Sequence, residues 1–188
     1  MRNEPGTADG RTARRARAGD GGHGRSPRTM RLAVCAVFFV TGAAFATWAA
    51  RVPAVQSRLD LSAGELAVAL VGLSGGAFLG LPLVGGLVAR YGSRRVLCAG
   101  LIAYLGALAS LPHVPDLAVL TAALALFACG NTAVDVAMNT QGVLVERAYG
   151  RPVLGGFHAM FSLGGITGAA AGGLAASAGV GIAAHFTV

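Results

Sequence analysis

The chain has 188 residues, 54% of them hydrophobic and only 12% charged, whereas a water-soluble domain usually carries about a quarter charged residues. The apolar residues fall in long uncharged runs without a polar face for water, and a bilayer core ~30 Å thick needs roughly 20 such residues per helix. All fifteen basic residues are arginine, and the net charge of +7 invites a nucleic-acid partner; where the arginines lie argues against one.

Residues 1–31 are rich in Gly and Arg and hold no apolar cluster. Such a segment cannot offset its chain entropy by burial and is expected to be a disordered, Arg-rich cytoplasmic tail attracted to anionic lipid heads. The first span is expected over 32–50, ending at Trp48 and Arg51, an interfacial aromatic beside a charge. Residues 51–61, with Pro53, read as a loop. Ser62 and Glu65 then form a capping box that opens a second helix over 62–89. Arg90 to Arg95 read as a short basic turn, and the third span as 96–111, from whose end Arg94 and Arg95 snorkel. Pro112 and Pro115 mark a loop, and Asp116 is placed to cap a fourth span over 117–145. A charged turn over 146–152 leads to a fifth span over 153–178. Residues 179–188 begin a sixth that is too short to cross a bilayer as it stands, so the sequence reads as truncated. The expected fold is all-α: a polytopic membrane helix bundle in a transmembrane domain over 32–188, with five complete spans and the start of a sixth.

Thirteen of the fifteen arginines fall in the tail, the 2–3 turn and the 4–5 turn, leaving Arg51 and Arg58 on the opposite side. This positive-inside pattern puts the N-terminus in the cytoplasm and the chain, as a multi-pass protein, in the cell membrane. It also accounts for the basic character without nucleic acid. The three cysteines, Cys35, Cys98 and Cys129, each lie inside an apolar run, with no neighbour at metal-ligand spacing. Neither a disulfide framework nor a metal site is expected, and no cofactor motif is present. No phosphate-binding glycine loop or nucleophile elbow occurs, so nothing supports an enzyme.

Of the eight acidic residues, only Asp135 sits within a span. A carboxylate there costs at least ~2.5–3.5 kcal/mol on insertion scales and is tolerable when protonated, paired or facing a wet cavity. Asn131, Asp135 and Asn139 recur at i, i+4, i+8, on one side of the fourth helix with a drift of about 40° per step; Gln141 lies on a different face. The stripe reads either as the lining of a substrate and proton pathway or as interhelical hydrogen-bonding glue. His158, one turn from Ser162, can shuttle a proton, contact substrate or simply pack. Phe45, Trp48, Phe157 and Phe161 can stack on a sugar-like ring or serve as core and lipid-facing aromatics. Gly76 with Gly80, and Gly164, Gly168 and Gly172, fit the small-xxx-small spacing that lets helix backbones approach.

The stretch Gly85-Gly86-Leu87-Val88-Ala89-Arg90-Tyr91-Gly92-Ser93-Arg94-Arg95 resembles the signature loop of the major facilitator superfamily, with Gly85, Leu87, Arg90, Gly92 and Arg94 matching. Ala89 stands where the family has an acid of a cytoplasmic charge latch, and Ser93 where Arg is common. Trp48 to Pro53, Asp135 to Gly142, Gly150 to Pro152 and Phe157 to Gly165 are similar to a bacterial branch near the fucose permeases. The resemblance implies twelve helices in two six-helix halves, of which this chain is the N-terminal one, with alternating access between them. It also implies proton coupling, frequent in the family, with Asp135 in the place of the branch's fourth-helix acid. The expected function is proton-coupled transport of a small polar solute, such as a sugar. The partners implied are solute, proton, the lipid bilayer and a missing C-terminal half or partner chain. The alternative is a non-transporting membrane protein, or a half-transporter that needs a second chain.

Overall fold

A computed structural model describes residues 26–187; the expected tail lies outside the described residues up to 25. The described residues form six helices: α1 Pro27–Arg58, α2 Ala63–Tyr91, α3 Ser93–Ser110, α4 Leu117–Tyr149, α5 Leu154–Ser177 and a short α6 Ile182–Thr187. A 3-10 turn, Leu111–His113, extends α3. No strand occurs among the described residues. Five of the helices are long and apolar enough to cross a membrane. Their outward faces carry large bare apolar side chains, such as Phe78 at 77% and Ile102 at 75% exposure. Such a surface suits lipid, and helices, whose backbone bonds close internally, are suited to crossing it. The protein is a multi-pass membrane helix bundle.

Capping sets several boundaries. The Ser62 hydroxyl accepts from Glu65 N–H at 3.3 Å while Glu65 Oε2 accepts from Ser62 N–H at 2.9 Å, closing the capping box expected for α2. Asp116 Oδ1 accepts from Val119 N–H at 2.9 Å at the start of α4.

Other boundaries depart from the sequence expectation. The first helix starts at Pro27, not at residue 32: Ser26 caps it by accepting from Thr29 N–H at 3.3 Å, and Pro27 sits where its missing N–H is harmless. Residues 27–31, expected in the tail, are therefore helical. Nor does α1 stop before Pro53, which lies inside it. Proline deletes one backbone bond, but this last part of α1 is held by tertiary contacts: Arg58 donates to Val114 O at 2.7 Å and Val55 is fully buried. Arg94 and Arg95 belong to the first turn of α3, and with the 3-10 turn that span reaches 21 residues. The charged turn after α4 is shorter than expected, because the helix runs to Tyr149 and ends on Gly150 at φ +65. Glu146 Oε2 accepts from the N–H groups of Val153 (2.7 Å) and Leu154 (2.9 Å), so a side chain of α4 caps α5. Glu146→Ala removes the acceptor of both donors, and we expect a lower thermal midpoint in detergent; an unchanged midpoint contradicts the capping role.

Glycine stripes set the helix pairing. A Cβ on Gly164 would fall 2.0 Å from the Phe39 carbonyl oxygen, and one on Gly168 2.2 Å from that of Ala43. From the other side, a Cβ on Gly42 would fall 2.1 Å from the Phe161 oxygen. Thus α1 and α5 run parallel with their backbones in contact. Gly72 and Gly76 bring α2 similarly close to α4, where a Cβ would fall 2.4 Å from the Thr121 and 2.0 Å from the Ala125 carbonyl oxygen, and one on Gly80 would meet the Thr132 side chain at 3.2 Å. Gly100 and Gly130 do the same for the antiparallel pair α3 and α4. The alternate glycines, Gly75, Gly165 and Gly173, face open space. In lipid, where burial of apolar surface between helices gains little, this close contact is a main source of association.

Candidate functional site

The middle of α4 supplies the polar stripe. Asp135 is exposed, and Asn131 and Asn139 are half-buried. The Asn139 amide donates to Asp135 Oδ1 at 3.1 Å and to the Asp135 carbonyl at 2.9 Å, so it reaches back one turn and fixes the carboxylate. From α5, His158 lies within electrostatic reach of Asp135 and is itself exposed. Its ring stands edge-on to Phe38 of α1, centroids 5.4 Å apart. Three helices thus bring an acid, an imidazole and an aromatic edge to one neighbourhood, a set suited to holding and passing a proton. The Ser162 hydroxyl donates to the His158 carbonyl at 3.2 Å, which leaves the imidazole free of that neighbour.

Beneath lies an aromatic floor. Phe38 stacks on Phe157 at 5.6 Å, and Phe127 is met by Tyr104 at 4.6 Å, Trp48 at 6.3 Å and Phe45 at 6.5 Å. Phe45 keeps 40% of its surface exposed, whereas Trp48 is 2% exposed and Phe157 fully buried. Of the ring-stacking candidates, Phe45 presents a face in this conformation; Trp48 and Phe157 are packing residues beneath it. Tyr104 and Phe127, central to the floor, carry no pattern that separates them from ordinary core aromatics in the sequence. The Tyr104 hydroxyl donates to the Thr41 carbonyl at 3.1 Å and ties α3 to α1.

The loop residues occupy a separate place. Gly92, at φ +80, joins α2 to α3, and its N–H donates to Val88 O at 2.9 Å. Arg90 lies over the Tyr91 ring at 5.2 Å, and Arg94 and Arg95 are exposed. Gly85 faces open space. Ser93, which departs from the family pattern, is buried and accepts from Gln141 Nε2 at 2.7 Å. That bond pins the α2–α3 turn to α4 and places Gln141 away from the Asp135 face, as its position in the sequence indicates. Arg51, read in sequence as an interfacial charge, is 3% exposed and donates to the Val180 carbonyl.

Neither a family model nor a solved structure matches the chain. Among curated proteins it is similar to an uncharacterized MFS-type transporter of Yersinia pestis, 41% identical over 134 residues, which cover 70% of this chain and 34% of that protein. It is 37% identical over 155 residues to the uncharacterized transporter y4wD of Sinorhizobium fredii, covering 82% of this chain and 41% of the relative. It is 32% identical over 114 residues to the membrane protein MosC of Rhizobium meliloti, covering 61% and 28%. The matches thus span about a third to two fifths of the length of the first two relatives. Together with the five apolar helices, similarity at 37–41% identity to proteins named transporters, one of them MFS-type, supports membership of the major facilitator superfamily.

Proposed function

We propose that the chain is the N-terminal wall of a proton-coupled secondary transporter for a small polar solute, such as a sugar, of the fucose-permease-like branch. The observation that carries this reading is the exposed Asp135 carboxylate, held by Asn139 and within electrostatic reach of His158, on a largely apolar bundle. A charge on such a surface is stable only beside water or a partner, which marks ion and substrate pathways. Asp135 is the proton carrier. Asn131, Asn139, His158 and Phe45 line the cavity, and Trp48 backs it. Residues 32–188 act as one six-helix half, with the site completed by a second half or a partner chain at the midplane. Gly85, Arg90, Gly92, Arg94 and Arg95 belong to the cytoplasmic signature loop between α2 and α3. The test is uptake of a monosaccharide panel into proteoliposomes of the complete transporter under an imposed pH gradient. Gradient-driven accumulation of one sugar supports the reading; accumulation indifferent to the gradient for every sugar removes proton coupling to sugars.

The arginine distribution supports a cytoplasmic N-terminus in the plasma membrane. A single cysteine introduced at Arg94, in a background lacking Cys35, Cys98 and Cys129, should resist an impermeant maleimide added outside intact cells and react once they are opened. Labelling from outside would invert the orientation.

A half-transporter working with a separate chain is the second reading. Co-purification of a second six-helix chain separates it from the first.

A further inference from the structure

At the end of the bundle where α1 begins and α4 hands over to α5, three arginines converge outside the site described above. Arg28, Arg31 and Arg151 line an open pocket of about 510 Å³ with Tyr149, Leu32 and Cys35. The guanidinium carbon of Arg31 lies over the Tyr149 ring at 5.6 Å, and that of Arg151 lies over it at 5.8 Å. One ring therefore orients two planar cations, Arg31 from α1 and Arg151 from the α4–α5 turn. Among the described residues, no acidic side chain lines the pocket. Glu146, the acid nearest to Tyr149 in sequence, is turned to two backbone N–H groups. One turn further along α1 the lining is apolar: Leu32 is 70% exposed and lies in the pocket with Cys35.

We propose that this pocket binds the head group of an anionic phospholipid. Guanidinium forks match phosphate oxygens in paired hydrogen bonds, and basic pockets between helices at the membrane boundary hold such head groups. The apolar wall selects lipid over free phosphate, because an acyl chain leaving the head group runs down Leu32 and Cys35 into the bilayer. The bound lipid bridges α1 to the α4–α5 turn and fixes that corner of the bundle.

The test follows thermal unfolding of the detergent-solubilised chain as phosphatidylglycerol, phosphatidylcholine or inorganic phosphate is added. Phosphatidylglycerol should raise the midpoint, and the other two should leave it where it is. Its apparent affinity should fall about 5-fold for each arginine removed, reaching about 100-fold in R28Q/R31Q/R151Q. Arg147→Gln, which removes the same charge from the same helix end outside the pocket, should keep the wild-type response. Native mass spectrometry of the unmodified chain gives a mutation-free readout, with phosphatidylglycerol retained over phosphatidylcholine. Equal response to both lipids, or a triple variant that responds as the wild type does, overturns the proposal. An equal response to inorganic phosphate overturns the lipid assignment in favour of a bare anion site.

Discussion

Asp135→Asn should abolish pH-driven accumulation while sparing exchange of solute across the membrane. Asparagine keeps the size and hydrogen-bonding capacity of the side chain, so the contact with Asn139 survives, but it cannot gain or lose a proton. A pH difference of one unit is worth about 1.4 kcal/mol per proton carried, or about tenfold in accumulation. Removing the carrier should erase that factor and leave counterflow, which needs the binding site but no net proton movement, within a few-fold of wild type. The measurement is paired uptake and counterflow in proteoliposomes of the complete transporter. A tenfold response to the gradient retained in D135N would take Asp135 out of the coupling; loss of both activities would assign it to binding.

Gly164→Ala and Gly168→Ala should each loosen the bundle more than any other single methyl addition on α5, because each places a carbon about 2 Å from a backbone oxygen of α1. That oxygen belongs to a helix and cannot swing away as a side chain does, so the helices must part. Overpacking of this kind costs about 1–3 kcal/mol, and separation forfeits the close contacts on which association in lipid depends. Gly165→Ala and Gly173→Ala add the same methyl into open space, where the higher helix propensity of alanine, up to about 1 kcal/mol, makes the change neutral or stabilising. Unfolding titrations of the four variants in mixed micelles read the contrast directly. A reversed ranking would mean that α5 is rotated about its axis from the packing described here.

The five apolar spans are legible in the sequence because hydropathy and length alone decide them. Helix starts are legible where a side-chain cap announces them, as at Ser62 with Glu65 and at Asp116. The Ser26-Pro27 start is written in the same language, but it is masked by the arginines around it, which share the composition of the preceding segment. Pro53 reads as a breaker, and α1 continues through it because Arg58 and Val55 are anchored to distant parts of the chain, which no local pattern reveals. The glycine spacing identifies the packing stripes, and the structure separates the contacting set from Gly75, Gly165 and Gly173. At the candidate site, the spacing of Asn131, Asp135 and Asn139 is visible in the sequence. The approach of His158 to Asp135 is not, since it depends on how α5 docks against α1. For the same reason Trp48 looks like a ring-stacking candidate in sequence and lies buried against Phe127.

The contrast between a wet α4 face and a lipid-facing belt can be read at two positions of the complete transporter in native membranes. With Cys35, Cys98 and Cys129 replaced, Asp135→Cys should react with a water-soluble thiosulfonate and Phe78→Cys should not, because only a thiol in contact with water ionises to attack the reagent. Reaction at position 78 with protection at position 135 would contradict both the bundle's orientation in lipid and the pathway along α4.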